Sequence, residues 1–330
     1  MDFRQVKDRS AESDPGRPPT GEEAALPPLD GDPAPGFPGE PEGADLPLTE
    51  ASNPLSRGID GRSALEIVSI IHDEDLRAWE AAGAALAAMA EVVEQVVRAF
   101  RAGGRLLYIG AGTSGRLGVL DASECHPTFG VSPDRIHGII AGGEAALRTP
   151  VEGAEDSPSA GAEAMRKAGV RAQDVVCGIA ASGTTPYVWG ALEEATLRDA
   201  TTVLVTCNPE WRHGGRADMV DFIILTPVGP EVIAGSTRMK AGTATKLVLN
   251  TLSTAAMIRW GKVYDNLMID LAPVSRKLRR RAEGLVSHVA GVDASRASEL
   301  LTAAGGSVKT AVLIGRMGLG PAEARDILDR

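Results

Sequence analysis

Apolar residues recur at helical spacing from Ala64 to Ala102, in an Ala-, Glu- and Leu-rich stretch that stops at Gly103-Gly104. Beyond it the pattern changes. Short apolar runs alternate with helix-compatible segments, and the runs at Arg105–Ile109, Ile136–Ala141, Val175–Ala180, Thr202–Thr206 and Phe222–Thr226 predict five strands. Strands that alternate with helices predict an α/β three-layer sandwich around a mainly parallel five-stranded sheet. Gly235 to Trp260 then reads as one long helix. A further helix carries the basic cluster Arg276-Lys277-Leu278-Arg279-Arg280-Arg281, for which a solvated charged face is the commoner explanation than a nucleic-acid site. Short helices are predicted at Ala294–Ala304, Val308–Met317 and Pro321–Asp329, the first capped by Asp293 or Ser295 and the last with Pro321 in its first turn. They make a small C-terminal helical bundle.

Composition divides the chain. Residues 1–48 are rich in Pro, Gly, Asp and Glu and hold 11 acidic against 4 basic residues. Such a segment buries too little apolar surface to offset its ordering entropy and is expected to be disordered. It carries most of the formal charge of -10, so the remainder is close to neutral, which argues against nucleic acid as a partner. The expected layout is a tail over 1–48, a catalytic domain over 49–275 and a helical region over 276–330. No apolar run reaches the ~18 residues that span a bilayer, and no signal architecture precedes the domain, so no membrane partner is expected. Cys125, Cys177 and Cys207 make no disulfide framework, which fits a reducing, cytoplasmic setting.

Chemistry gathers where strands end. The run Leu106-Leu107-Tyr108-Ile109 breaks into Gly110-Ala111-Gly112-Thr113-Ser114-Gly115-Arg116, a backbone cradle suited to an anion. Gly110, Gly112 and Gly115 also match the dinucleotide spacing G-x-G-x-x-G, but the next strand ends in Gly142-Gly143 where an acidic ribose ligand is expected. Thr113 and Ser114 add hydroxyls that suit a terminal phosphate, so a sugar phosphate ranks above a dinucleotide. The same grammar returns at Ser182-Gly183-Thr184-Thr185-Pro186, where capping and phosphate binding draw on the same orphan amides. A third segment, Gly235-Ser236-Thr237-Arg238-Met239-Lys240, joins hydroxyls to two cations at a helix start, with Lys240 or Arg238 available to neutralise phosphate. Carboxylates stand at Asp121 and Glu124 and at Glu152, Glu155 and Asp156. Glu152 and Glu155 share one face if that stretch is helical. The five histidines show no metal-ligand spacing.

From about Thr49 onward the chain resembles the N-acetylmuramic acid 6-phosphate etherases, which carry a sugar isomerase (SIS) domain. The resemblance rests on Thr49-Glu50…Asn53-Pro54, Ile70–Asp75, Gly110–Pro127, Ala141–Glu144, Val151–Ser157, Gly178–Val188 and Gly235–Lys246. It implies a lyase without metal or cofactor that removes the lactyl ether at C3 of the amino sugar, yielding N-acetylglucosamine 6-phosphate and D-lactate. Glucokinase regulatory proteins share the frame and bind sugar phosphates without this chemistry; a non-catalytic sensor is therefore the rival reading, followed by an aldose–ketose isomerase. Carried over by motif, Glu124 is the acid for the lactate oxygen, Glu155 the second carboxylate and base at C2, and Ser114, Ser182 and Thr185 phosphate ligands. Gly112, Thr113, Gly183, Thr184, Ser236 and Lys240 complete the expected binding set. His126 stands where the family usually has proline and Thr184 where it often has arginine. A straight helix from Ser114 to Glu124 separates them by about 15 Å. Either that segment bends back or Glu124 serves a neighbouring subunit, which makes the protein an expected homodimer with its site near the interface.

Overall fold

In the computed structural model, residues 48–214, 217–271 and 276–329 are described; the tail expected over 1–48 lies outside them apart from Leu48. In chain order the helices and strands are α1 (Ala64–Ala84), α2 (Leu86–Arg101), β1 (Leu106–Gly110), α3 (Gly112–Phe129), β2 (Ile136–Ile140), α4 (Gly143–Ala146), α5 (Pro158–Ala168), β3 (Val175–Ile179), α6 (Pro186–Thr196), β4 (Thr201–Thr206) and β5 (Phe222–Leu225). There follow α7 (Lys240–Arg259), α8 (Arg276–Ala290), α9 (Ala294–Ala303), α10 (Val308–Met317) and α11 (Pro321–Asp329).

The five strands pair in parallel in the order β2-β1-β3-β4-β5. Side chains alternate across the sheet, as the two-residue period requires. Leu106, Tyr108, Val175, Cys177, Val203 and Val205 pack into one core with Met89, Val96, Phe100, Val248 and Leu252 from α2 and α7. Leu107, Ile109, Val176 and Leu204 pack into the other with Met165, Tyr187, Trp189 and Leu192 from α5 and α6. These are the three expected layers. The connection from β2 to β3 passes over β1, so the chain reverses its direction of travel across the sheet between β1 and β3. Their carboxyl ends open a crevice there, the usual ligand position in such sheets.

One long helical segment resolves into two helices, and one long helical prediction needs correction. The stretch from Ala64 to Ala102 is two helices that meet at Ala85, whose φ of -92° and ψ of 4° leave the helical region. Ser63 starts α1 with a capping box to Glu66. The helix expected from Gly235 begins only at Lys240, because residues 235–239 turn on the positive φ of Gly235. At the C-terminus, α9, α10 and α11 follow the predicted bounds within a residue, and Asp293 caps α9. Ala282, Val286, Leu300, Leu301, Val308 and Ala311 give α8 to α10 a core of their own.

A buried ionic network joins α1 to the start of α7. Lys240 is 1% exposed, and its ammonium meets the carboxylate of Glu74, itself 3% exposed. Asn53 Nδ2 and Arg77 Nε, the latter at 2.8 Å, donate to the same carboxylate. Burial pushes the Glu74 carboxyl up, but these hydrogen bonds and the Lys240 charge outweigh it and hold it below its ordinary value. Removing one partner of such a pair strands the other in the core. Lys240→Met is expected to cost about 3 kcal/mol or more in urea unfolding, and the double variant Glu74→Leu, Lys240→Met to recover most of it. A single-variant loss below about 1 kcal/mol would contradict the assignment.

Candidate active site

The crevice between β1 and β3 holds a cavity of about 370 Å³. Its walls are the loop after β1 (Ala111, Gly112, Thr113, Ser114), the loop after β3 (Ala181, Ser182, Thr184, Thr185, Pro186), the turn residues Glu155 and Asp156, and Glu50, Gly235 and Thr237. A second cavity of about 260 Å³ adjoins it, shares Ala111, Gly112, Thr113 and Glu155, and adds Arg116 and Glu152. A larger cavity of about 530 Å³ lies elsewhere, between residues 261–269 and α10, lined by Val263, Ile269, Val312 and Met317. It lacks the converging hydroxyls and carboxylates of the crevice.

The glycines of the first loop serve close approach. A Cβ on Gly110 would fall 2.8 Å from the Gly115 nitrogen, and one on Gly115 would fall 2.7 Å from the Gly110 carbonyl oxygen. Strand and helix therefore touch backbone to backbone, which brings the first turn of α3 to the cavity wall. There Gly112 adopts a φ of +50°. The second loop is braced from within. Ser182 Oγ and Thr184 Oγ1 lie 2.9 Å apart, the Thr184 amide donates to Ser182 Oγ at 3.2 Å, and Asn208 Nδ2 donates to the Ser182 carbonyl at 3.0 Å. Pro186 occupies the first turn of α6. Two helix N-termini, with their positive dipole ends, thus converge on one cavity, although at α6 the Tyr187, Val188 and Trp189 amides are already bonded to the Glu155 and Thr185 carbonyls.

Glu155 reaches that cavity by a turn. Residues 152–155 form a turn with Gly153 at a φ of +69°, so Glu152 and Glu155 do not share a helix face as expected. The Glu155 carbonyl accepts from the Tyr187 amide at 2.9 Å, which ties its backbone to the first turn of α6. Among the expected binding residues, Gly112, Thr113, Ser114, Ser182, Thr184 and Thr185 line the cavity, and Ser236 does not. Gly183 is absent from the wall because it is buried against Trp211, where a Cβ would come within 2.6 Å of the Trp211 Cβ. Lys240 is a correction: its ammonium is spent on Glu74 in the core and does not face the cavity. Its backbone amide and that of Ala241 donate instead to the buried Glu231 carboxylate at 3.0 and 2.9 Å, so a protein side chain fills the α7 N-terminus. Among the described residues, no Lys or Arg lines the main cavity. Sequence reading had not assigned Glu50 or Asp156 to the site.

The first 196 residues carry a match to the glucokinase regulatory protein N-terminal SIS domain over 88–196, which spans α2 to α6. Curated relatives cover far more. An N-acetylmuramic acid 6-phosphate etherase of Klebsiella aerogenes is 48% identical over 281 residues, 85% of this chain and 93% of the relative. One from Salinibacter ruber is 52% identical over 284 residues, 85% of this chain and 90% of the relative. This chain belongs to the N-acetylmuramic acid 6-phosphate etherase family.

The etherase motif that bears Glu124 lies on a continuous helix. Because α3 runs unbroken from Gly112 to Phe129, the bend that would have returned Glu124 to its own cavity is ruled out. Glu124 is exposed and lines neither cavity. His126, one of the two departures from the family pattern, points Nδ1 at the Val131 carbonyl and stays at the end of α3. One turn before Glu124, Asp121 accepts from Ser253 Oγ of α7 at 3.0 Å, while its Oδ2 and the Tyr108 hydroxyl are buried without a hydrogen bond of good geometry among the described residues. Burial pushes the Asp121 carboxyl from the ordinary 3.8 to about 6, only partly offset by Ser253 and the charge of Lys246. A carboxyl raised in the folded state stabilises it at low pH and loses that contribution as pH climbs from about 4 through about 6. Asp121→Asn is therefore expected to raise unfolding stability at pH 7.5 by up to about 3 kcal/mol and to change little near pH 3.5, as read by urea titration at the two pH values. An equal effect at both would refute the burial of a titrating group.

Proposed function

We propose that this protein is a carbon–oxygen lyase that cleaves the lactyl ether of N-acetylmuramic acid 6-phosphate, giving N-acetylglucosamine 6-phosphate and D-lactate. The observation that carries the reading is a pair of hydroxyl-rich helix N-termini sharing one cavity with Glu155, in a chain about half identical to etherases over most of its length. The phosphate is held by Ser114, Ser182 and Thr185 together with the loop amides, which need no cation because the helix dipoles favour negative charge.

The chemistry follows from the leaving group. An ether departs poorly, so direct displacement is slow. Opening the sugar ring exposes an aldehyde at C1, which acidifies the proton on C2. Glu155 removes that proton, the C3–O bond breaks, and Glu124 protonates the departing lactate oxygen. Water then adds at C3 of the unsaturated aldehyde with the roles reversed. Proton transfer of this kind contributes about 10²–10⁴-fold, and orientation through the phosphate supplies much of the rest.

Glu124 belongs to the cavity of a second copy in this reading. A surface for that copy is present on α1. Its inner face buries Glu74, Ala78, Ala81 and Ala82, while Leu65, Val68, Leu76 and Trp79 form a second stripe 56–75% exposed. Apolar side chains repeated at helical spacing on an outer face mark an interface. The buried free thiols Cys125, Cys177 and Cys207 fit a cytoplasmic setting. Glu124→Gln and Glu155→Gln are each expected to abolish lactate release from N-acetylmuramic acid 6-phosphate. Mixing the two variants under exchange is expected to restore about a quarter of wild-type activity, because each mixed dimer rebuilds one intact site. No recovery on mixing, with exchange demonstrated, would place both glutamates in one subunit's site. Absence of lactate release by the wild-type protein would favour the sensor.

A further inference from the structure

The proposed mechanism begins with ring opening, and neither Glu124 nor Glu155 serves that step. Glu50 stands in the same cavity with no assigned task. It comes from the segment before α1 and lies beside Gly235, on a wall shared with Thr237. Its Oε2 sits 2.8 Å from where a Cβ on Gly235 would be, so the absence of a side chain at Gly235 leaves room for the carboxylate.

The segment is anchored by other residues. Asn53 Nδ2 donates to Glu74 and to the Pro230 carbonyl at 3.1 Å, and Ser56 Oγ donates to the Val232 carbonyl at 2.7 Å. These bonds pin residues 53–56 to the loop before α7 and leave Glu50 without a structural duty. Among the described residues no cation forms an ion pair with Glu50, and no three His, Cys, Asp or Glu side chains group closely enough to hold a metal ion. A bare carboxylate in a ligand cavity is available to the ligand.

Resting on the etherase reading, we infer that Glu50 is the acid–base group that opens the sugar ring. The ring oxygen sits on C5, next to the phosphate-bearing C6, so a group sharing the phosphate cavity meets it before the ether at C3. In this step one Glu50 oxygen takes the proton from the C1 hydroxyl. The O–H electron pair becomes the C1=O bond, the C1–O5 bond breaks, and O5 receives the proton from Glu50. The carboxylate ends as it began and no co-reactant is consumed. Asp156, the other unassigned carboxylate, lies beside Glu155 on the same turn and is the control.

The test compares D-lactate release from two substrates. One is N-acetylmuramic acid 6-phosphate; the other is its acyclic 4,5-dideoxy aldehyde, which keeps the lactyl ether and has no hydroxyl with which to close a ring. Glu50→Gln is expected to lose about 100-fold or more in kcat on the ring substrate and to stay within about threefold of wild type on the acyclic one. Glu50→Asp, which keeps a carboxylate, is expected to regain part of the ring activity. Equal losses on both substrates, no loss on the ring, or selective rescue of Asp156→Asn in place of Glu50→Gln would each overturn the inference. Failure of the wild-type protein to release lactate from the acyclic compound as well as the ring would instead remove the etherase reading beneath it.

Discussion

A single buried ammonium decides how one rim of the cavity is built. Lys240 meets Glu74 in the core, where Asn53 and Arg77 also converge on the carboxylate. Four pieces of chain far apart in sequence are thereby held together: the segment that carries Glu50, helix α1, the loop before α7, and the first residue of α7. Two ions brought out of water are costly, and the cost is met only because hydrogen bonds occupy the remaining lone pairs. Glu231 completes the arrangement by accepting from the first two amides of α7. Glu50, Gly235 and Thr237 inherit their positions from this knot.

The consequence is a cavity whose charged side chains are all acidic. Glu50, Glu155 and Asp156 line it, and the cation that the Gly235–Lys240 segment offers is turned inward. In the proposed function, a phosphate there depends on backbone amides, hydroxyls and the positive ends of α3 and α6. Thr184 accentuates this, since a hydroxyl stands where the family often has a guanidinium. Fixed amides have one advantage over a mobile cation: they hold a dianion without neutralising the nearby carboxylates that must move protons. Arg116 is the nearest basic residue on a wall, in the adjoining cavity, and its Nε donates to the Leu147 carbonyl at 3.3 Å.

Local pattern carried most of the fold. Each strand lies within a residue at either end of its apolar run; the central β1, β3 and β4 are almost wholly buried, while the edge strands β2 and β5 are partly exposed. The two glycine- and hydroxyl-rich loops that line the cavity were legible as segments directly following such runs. The errors fall where the outcome depends on distant partners. Lys240 reads as a cation for phosphate until Glu74, 166 residues away, is placed beside it. Glu152 and Glu155 read as neighbours on a helix until Gly153 turns the chain. Glu50 gave no signal of its own, since a glutamate at the edge of an acidic, proline-rich tail resembles the tail. Only its motif with Asn53 and Pro54 set it apart, and that motif says nothing about where the carboxylate points.

Distance decides the last question, which is how one site can hold three acids without their spoiling one another. Like charges in one small cavity push each other's protons on, so carboxylates with opposite tasks need separation. The three come from unconnected stretches: Glu50 from the segment before α1 and Glu155 from the turn after α4, both on one cavity, and Glu124 from the exposed length of α3, about 15 Å along the helix from Ser114. The unbroken α3 is central to this. The continuous helix keeps Glu124 exposed and away from the cavity of its own chain.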